Sequence, residues 1–345
     1  MDSPDHEVLN AAADWLDAGH GVYLVTVARS WGSSPRPPGS LLAVRAHDGA
    51  CVGSVSGGCV EDDLSARLAA HGAGMALPRV ERYGVTAEQT RHFGLPCGGQ
   101  LDLVVERLDA AAPLRTLLAA FGERRLVARR LCLATGEASL HAATRVEEFS
   151  FDGDNLIKVF GPAWRLILIG AGQLSRLTAQ MAQALDYEVI VCDPRDDYAG
   201  QWQVAGTALD TRSPDDAVKD LARDARAAVI ALTHDPRLDD LALLEALGSP
   251  AFYVGALGSH LNSARRRARL AALDVPAAAL ARLRAPVGLP LGSRAPAEIA
   301  VAILAELTAV RHGVELRATT EAPAADPQVI AADSGCLLPR PPRSP

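Results

Sequence analysis

The chain has 345 residues, of which 49% are hydrophobic and 22% are charged, a composition that excludes wholesale disorder, a collagen-like repeat and a coiled coil. Its length predicts about two domains. The formal net charge of −7 at neutral pH provides no broad positive surface, so we expect no nucleic-acid partner.

The chain opens with a predicted helix and a predicted strand. Apolar residues recur at helical spacing over residues 3–19, and the β-branched segment 22–28 is typical of a buried strand. The next segment, 32–39, contains too much proline to pair in a sheet. It carries Ser34 and Arg36, whose hydroxyl and guanidinium groups suit a phosphate or a ring carbonyl, with a surface salt bridge as the alternative for Arg36.

Two glycine-rich loops each carry a cysteine. The first, Ser56-Gly57-Gly58-Cys59, follows a hairpin predicted at Asp48-Gly49 and leads into a predicted helix. The second contains Cys97, Gly98 and Gly99 and precedes a strand predicted at 101–106. Two glycines at a helix start are expected to let backbone N–H groups face a ligand, while small neighbours let a bulky ligand approach the sulfur.

The reactivity of these cysteines depends on nearby charge. At the start of a helix the dipole favours a Cys59 thiolate, and the acidic residues at 61–63 oppose it. The alternative for each cysteine is a small, buried core residue.

Strands and helices alternate in the second half of the chain. Residues 111–162 predict a short helix and several strands. The segments LILIGAG, EVIVCD, AAVIALT and AFYVGAL then each resemble a buried strand, with helical segments between them. This alternation predicts a doubly wound parallel sheet. The arginine cluster at 265–269 is interpreted as the solvated face of a helix, and residues 318–345, with six prolines and no aromatic residue, as a disordered tail.

A glycine-rich turn joins the first of these strands to its helix. It has glycine at positions 170 and 172, then Gln173, and Ser175 where the fingerprint of dinucleotide-binding units has its last glycine. The unpaired N–H groups at the start of the helix, near Gly170 and Gly172, are expected to bind a phosphate or a pyrophosphate. The alternative is a tight turn with nothing bound.

Polar side chains follow two other strands of the predicted sheet. Asp193 ends the strand EVIVCD, where a carboxylate can accept hydrogen bonds from a ribose, and Arg195 could either pair with it or reach a second phosphate. His234 follows the strand AAVIALT, at the carboxyl edge where ligands of such folds bind. The alternative for His234 is a role in capping the next helix.

These patterns together predict an α/β protein. An N-terminal α+β domain is expected over residues 1–110, connecting strands and a helix over 111–162, a Rossmann-like doubly wound parallel sheet domain over 163–315, and a disordered proline-rich tail over 316–345. Apolar runs are too short to span a bilayer and the first residues lack a secretory signal, so we expect a soluble cytoplasmic protein. The six cysteines form no CxxC pair, which argues against a disulfide framework and against a zinc site.

Seven segments carry motifs in a fixed order along the chain. The front half contains GSSPRPPGSLLAV, GSVSGGCVEDDL and FGLPCGG, and the back half contains LILIGAGQLSRLTAQMAQALDYEVIVCDPR, ALTHDPRLDD, YVGALGS and APVGLPLGSRAPAEIA. Together they resemble the XdhC/CoxI family of maturation factors for molybdenum hydroxylases. The resemblance covers roughly residues 22–106 and 164–312.

The resemblance implies a chaperone rather than an enzyme with turnover, built from an XdhC-type N-terminal domain and a Rossmann-like domain. Such a protein binds molybdenum cofactor, as molybdopterin or its dinucleotide form. It assists the exchange of an oxo ligand for a sulfido ligand, with a cysteine desulfurase as the sulfur source, and inserts the cofactor into an apo-molybdenum hydroxylase such as xanthine dehydrogenase. A homodimer is expected.

By resemblance, four residues occupy motif positions of the family: Ser34, Arg36, Cys59 and Cys97. Gln173 departs from the family pattern, because many members have histidine there, and His260-Leu261 stand where an arginine pair is frequent. We hypothesise that the Cys59 and Cys97 loops face the molybdenum, as possible thiol ligands, while the glycine turn holds the phosphate end of the cofactor in the same cleft.

Two other classes of function stay open. An NAD(P)-dependent oxidoreductase would use the glycine turn and Asp193, although His234 is its one well-placed acid–base candidate for hydride chemistry. A protein–protein adaptor would have a Rossmann-like domain that no longer binds a ligand. Titration with NADH and with extracted pterin cofactor would distinguish the oxidoreductase from the chaperone.

Overall fold

Residues 4–31, 36–71, 74–84, 100–143 and 149–314 are described by a computed structural model of the chain. In these residues the backbone forms a five-stranded, a four-stranded and a six-stranded sheet. The predicted tail at 316–345 lies outside the described residues, as do four of the candidate site residues: Ser34, Cys97, Gly98 and Gly99.

The first sheet is antiparallel, with strands in the order β3-β2-β1-β5-β4. Its elements are α1 (Pro4–Asp17), β1 (Val22–Trp31), β2 (Leu41–Arg45), β3 (Cys51–Gly53), α2 (Cys59–His71), β4 (Arg79–Tyr83) and β5 (Gln100–Leu108). Leu24 of β1 packs in one core with Leu9 of α1, whereas Val25 packs in another core with Leu64 of α2. Successive side chains of a strand point to opposite faces, so the sheet has a helix on each side.

The second sheet has the order β7-β6-β9-β8. Its elements follow α3 (Ala112–Gly122) and are β6 (Val127–Cys132), β7 (Ala138–Ala142), β8 (Phe149–Phe151) and β9 (Asn155–Phe160). Glu106 of β5 accepts two hydrogen bonds, of 2.7 and 2.6 Å, from the buried guanidinium of Arg129 in β6. Leu114 and Leu117 of α3 share the core of Leu9, so this core extends past residue 110, the predicted end of the first domain.

The third sheet is parallel throughout and confirms the predicted doubly wound fold. Numbered along the chain, its strands have the spatial order 3-2-1-4-5-6 of a Rossmann-type sheet. Its elements are β10 (Trp164–Ile169), α4 (Gln173–Gln183), β11 (Tyr187–Cys192), α5 (Asp196–Ala199), β12 (Ala208–Asp210), α6 (Pro214–Leu221), β13 (Ala227–Ala231), α7 (Pro236–Gly248), β14 (Tyr253–Ala256), α8 (His260–Ala272), α9 (Ala277–Leu280), β15 (Leu283–Arg284) and α10 (Pro296–Arg311).

The helices of this domain cover both faces of the sheet, α4 and α10 on one and α6, α7 and α8 on the other. The interpretation of the arginine cluster of α8 as a solvated face is wrong for Arg266, which is 5% exposed and donates a hydrogen bond of 2.8 Å to Asp239 of α7. In the described ranges, no helix combines the length and apolar character that crossing a bilayer requires.

The two edges of the six-stranded sheet have different neighbours. The strand order reverses between β10 and β13, so the carboxyl ends of these strands border the crevice in which such sheets bind ligands. At the opposite, amino edge, Arg124 follows α3 and donates to Asp224 at 2.7 Å and to Glu188 at 3.1 Å. The front half of the chain therefore packs against the amino edge.

Candidate functional site

The glycine turn lies at the carboxyl end of β10, beside the crevice. Gly170 has a φ of +105°, and a Cβ atom there would lie 2.9 Å from Cγ2 of Thr233, so both backbone and packing require glycine. Gly172 has a φ of −84°, and no described atom lies within 4 Å of the position that a Cβ would take. Packing therefore does not explain a glycine at 172, and the space beside its backbone is open to an anion.

The first turn of α4 begins at this open space. Gly172 is the N-cap residue, and the N–H groups of the first helical turn have no partner within the helix. Gln173 is exposed, whereas Ser175 is 1% exposed and its hydroxyl has no hydrogen-bond partner within the described residues. Gln173 is therefore placed to contact a ligand at the turn, and Ser175 belongs to the buried side of the helix.

The carboxylate of Asp193 packs against the turn. It is fully buried, and its Oδ2 accepts a hydrogen bond of 2.8 Å from the N–H of Ala171. Arg195 donates to Oδ1 from Nε at 2.9 Å and to Oδ2 from Nη2 at 2.8 Å. Burial acts to raise the pKa of Asp193, but the hydrogen bonds from Arg195 and Ala171 hold this pKa below its ordinary value. Arg195 is thus paired with Asp193, and a ribose hydroxyl would compete with both donors.

His234 lies at the same edge of the sheet. It follows Thr233, which lies against Gly170, and its side chain is exposed. Its φ of +64° is uncommon for a residue with a side chain. Asp235 is the residue that caps α7, since it accepts a hydrogen bond of 2.9 Å from the N–H of Arg237. The imidazole is therefore placed to contact a ligand bound at the glycine turn.

Gly172→Asp is expected to weaken binding of inorganic pyrophosphate by about tenfold or more, because it places a carboxylate where the anion would lie. Aspartate is a favourable N-cap residue, so the variant should unfold at the same free energy as the wild type or about 0.3 kcal/mol higher. Calorimetric titration and urea unfolding measure the two quantities. Equal pyrophosphate affinity in both proteins would show that the turn binds no anion.

The loop before α2 is folded around the side chain of Glu61. The carboxylate accepts hydrogen bonds of 2.7–3.0 Å from four consecutive backbone N–H groups, those of residues 55–58. The hydroxyls of Ser54 and Ser56 also donate to it. Burial acts to raise the pKa of Glu61, but hydrogen bonds led by those from Ser56 lower this pKa to about 2. The N–H groups of Gly57 and Gly58, expected to face a ligand, therefore face a charged carboxylate of the chain itself.

A local sequence pattern accounts for this loop, which we call the Glu61 loop (residues 54–58). Glu61 is the third residue of α2 and reaches back 2.9 Å to the N–H of Gly58, as the glutamate of a capping box does. From the sequence, Glu61 is expected only to oppose a thiolate at Cys59, and its spacing from Gly58 is the signal that identifies its second role. Cys59 is the first residue of α2 and follows the loop directly.

A cavity of about 570 Å³ lies between the three sheets, within the size range of small-molecule sites. Its walls include Arg36 and Ser54 from the front half, Lys158 of β9 and Trp164 of β10. Nε of Arg36 donates a hydrogen bond of 3.3 Å to the hydroxyl of Ser54, which itself donates to Glu61 at 2.7 Å. The structure thus brings Arg36, the cavity and the Glu61 loop together.

The cavity and the glycine turn lie at opposite edges of the six-stranded sheet. Trp164, which lines the cavity, is the first residue of β10, and Gly170 follows the last residue of that strand. A strand of this length spans about 17 Å. The hypothesis of one cleft lined by the Glu61 loop and the glycine turn is therefore wrong for a single copy of the chain. Its physical reason is the packing of the front half against the amino edge.

Among the residues that the structure describes, no three His, Cys, Asp or Glu side chains are grouped to hold a metal ion. Cys51, Cys132 and Cys192 are free thiols. Cys51 is exposed, whereas burial raises the pKa of Cys192 to about 12 and makes its thiolate inaccessible at neutral pH. Cys51 and Cys59 thus stand on either side of the Glu61 loop in the sequence.

Both halves of the chain match known families. Residues 15–84 match the XdhC and CoxI family, and residues 166–307 match the family described as the XdhC Rossmann domain. An Escherichia coli protein named molybdenum cofactor insertion chaperone PaoD is 32% identical over 313 residues, covering 89% of this chain and 89% of that protein. A Bacillus subtilis protein, named as a probable xanthine dehydrogenase component, is 25% identical over 345 residues, covering 90% of this chain and 98% of that protein.

A solved structure shares the fold. The crystal structure of a xanthine dehydrogenase from Bacillus halodurans aligns with a TM-score of 0.66 at 21% sequence identity, and the alignment covers 92% of this chain and 98% of that one. The likeness extends over both halves of the chain and concerns the arrangement of the backbone.

Proposed function

Because the chain belongs to the XdhC and CoxI family, we propose that it is a molybdenum cofactor insertion chaperone, which binds the cofactor as cargo and delivers it to a molybdenum enzyme. The observation that carries the proposal is the match along both halves of the chain to a relative named for this function. In this proposal the protein holds and transfers its cargo and does not turn over a substrate.

We assign the metal end of the cargo to the Glu61 loop and the cysteine that follows it. Six hydrogen bonds to the Glu61 carboxylate fix the loop, and such preorganisation is required of a site that must hold a ligand in one position. A thiolate is a soft ligand and suits a metal already bound by dithiolene sulfurs, so Cys59 fits this role. Cys97 is assigned the same role from its motif position.

The finer parts of the proposal concern sulfur, partners and assembly. We propose that the protein presents its cargo to a cysteine desulfurase, which supplies the sulfur for a sulfido ligand, and then docks on an apo-hydroxylase such as xanthine dehydrogenase in the cytoplasm. A homodimer would allow the glycine turn of one copy to approach the Glu61 loop of the other. Light scattering of the purified protein measures the number of copies in the assembly.

Cys59→Ala is expected to lower the molybdenum and pterin content of the purified protein about tenfold or more, because it removes a thiol that faces the metal. The protein is purified without oxygen from a host that makes the cofactor. Cys51→Ala is the matched control, since Cys51 is an exposed thiol whose Sγ lies 3.2 Å from the carbonyl oxygen of Gly49.

The contents of the wild type and of two variants decide between the outcomes. A wild type without molybdenum contradicts the proposed function. A loaded wild type with equally loaded Cys59→Ala and Cys97→Ala variants, both active in maturing the target enzyme, removes these cysteines from the site.

The strand order and the glycine turn favour a second candidate, an NAD(P)-dependent oxidoreductase with its dinucleotide at the carboxyl edge. The partners of Asp193 count against it, because both carboxylate oxygens already accept hydrogen bonds from Arg195. Fluorescence titrations with NADH and with extracted pterin cofactor separate the candidates. Micromolar binding of NADH without binding of the pterin favours the oxidoreductase.

A further inference from the structure

The cavity at the amino edge of the six-stranded sheet has charged walls to which the proposed function assigns no role. The cationic residues are Arg36, Lys158, Arg226 and Arg311, and the acidic ones are Asp5, Glu7 and Asp186. These residues come from the front half of the chain, from β9 and from the six-stranded domain. A ligand in the cavity would therefore meet cations from three directions.

Two of the cations already have fixed partners in the protein. Nζ of Lys158 lies 3.0 Å from Oδ2 of Asp5 and donates a hydrogen bond of 2.6 Å to the carbonyl of Gly39. Nη1 of Arg226 donates a hydrogen bond of 2.9 Å to the carbonyl of Pro162. Both contacts hold the walls of the cavity together.

Arg311 differs from these two residues. Its guanidinium carbon lies 4.6 Å from the centre of the Trp164 ring and 5.7 Å from that of Tyr187, so its direct contacts are with aromatic rings. Its Nε is buried and has no hydrogen-bond partner among the described residues. A guanidinium held between aromatic rings keeps its charge and its donors for an oxyanion.

Arg36 connects the cavity to the Glu61 loop. Its side chain is exposed, and its Nε reaches the hydroxyl of Ser54 at 3.3 Å. Ser54 belongs to the loop and donates to the Glu61 carboxylate. A ligand bound by the guanidinium of Arg36 would therefore extend toward Cys59.

We propose that this cavity binds the phosphate of a phosphorylated heterocycle, with the guanidinium groups of Arg311 and Arg36 as its anion-binding groups. The inference rests on the proposed function, because a phosphorylated pterin is the class of cargo that function requires. It assigns the phosphate end of the cargo to the amino edge of the sheet, in the same copy of the chain as the Glu61 loop. The glycine turn at the carboxyl edge is then a separate anion site.

The test compares two probes, the fluorescent oxidised pterin obtained from the cofactor with its phosphate and the same pterin after enzymatic removal of the phosphate. The wild type is expected to bind the phosphorylated form about tenfold more tightly. In Arg311→Ala this preference should fall to about onefold, and Arg311→Lys, which keeps the charge, should retain part of it. Arg36→Ala should lower the preference as well, and its exposed position leaves folding intact.

Two controls locate the effect. Arg223→Ala removes an exposed arginine that pairs with Asp220 at 2.5 Å, and it should keep the full preference. Gly172→Asp alters the carboxyl edge and should also keep it. A full preference in both Arg311→Ala and Arg36→Ala, or its loss in Gly172→Asp, overturns the inference.

The result is separate from that of the molybdenum analysis. A wild type that prefers the phosphorylated pterin through Arg311 but carries no molybdenum supports the cavity and contradicts the chaperone function. A wild type that carries molybdenum, with a preference that is independent of Arg311 and Arg36, supports the function and contradicts the cavity.

Discussion

Glu61→Ala is expected to lower the free energy of unfolding by about 3 kcal/mol and to remove most of the bound molybdenum cofactor. The substitution takes away the acceptor of the N–H groups of residues 55–58, of which that of residue 55 is buried. Without this acceptor, the loop no longer fixes the start of α2, where Cys59 stands. Urea unfolding and metal analysis of the purified variant measure the two effects.

Asp62→Ala is the matched control for charge, since Asp62 is an exposed neighbour in the same helical turn. It should unfold within about 0.5 kcal/mol of the wild type. Glu61→Gln keeps the size of the side chain but puts an amide group against N–H donors, so it should resemble Glu61→Ala. If Glu61→Gln is as stable and as fully loaded as the wild type, the carboxylate does not fix the loop.

The stabilising effect of Glu61 is also expected to depend on pH. Its pKa is about 2 in the folded protein and about 4.5 as the ordinary value. Because the folded pKa is the lower one, the stabilisation is complete above pH 4.5 and is lost as the pH falls toward 2. The difference in unfolding free energy between wild type and Glu61→Gln should therefore shrink in this window.

Asp193→Ala is expected to destabilise the six-stranded domain by about 3 kcal/mol, because it leaves the N–H of Ala171 buried without a partner and breaks the pair with Arg195. The same change should strengthen the binding of inorganic pyrophosphate. The freed N–H and guanidinium then become available to the anion, and the repulsion from the carboxylate is removed. Calorimetric titration of the folded variant measures this affinity.

The direction of this second effect separates two roles of Asp193. If Asp193 accepts hydrogen bonds from a ribose, NADH binds more weakly to Asp193→Ala, and pyrophosphate binding does not improve. Asp196→Ala removes an exposed charge three residues away and is the control for long-range electrostatics. A pyrophosphate affinity that is unchanged in Asp193→Ala contradicts the role of the carboxylate in blocking the turn.

Elements with a strong local pattern could be predicted from the sequence. The helix expected over residues 3–19 is α1 (Pro4–Asp17), and the hairpin expected at Asp48-Gly49 joins β2 to β3. The alternation in the second half predicts the parallel sheet because each strand there is an apolar run with its own turn. These features depend on neighbours in sequence, which a pattern contains.

Features that depend on distant partners could not be predicted. Arg266 is buried because Asp239 of another helix pairs with it, and the cluster of arginines shows no sign of that partner. The edge of the six-stranded sheet against which the front half packs depends on contacts such as that of Arg124 with Asp224, 100 residues apart. Glu61 lies between these cases, since its capping pattern is local but its contacts with the whole loop are not.

The position of the cavity between three sheets affects how cargo is kept and released. Any occupant touches walls from each part of the chain, so its binding free energy also strengthens the joints between those parts. At a concentration one hundred times its dissociation constant, a ligand adds about 2.7 kcal/mol to the folded state. The loaded chaperone is therefore stiffer at its joints than the empty one, which gives a receiving enzyme a mechanical difference by which to recognise a carrier that is ready for handover.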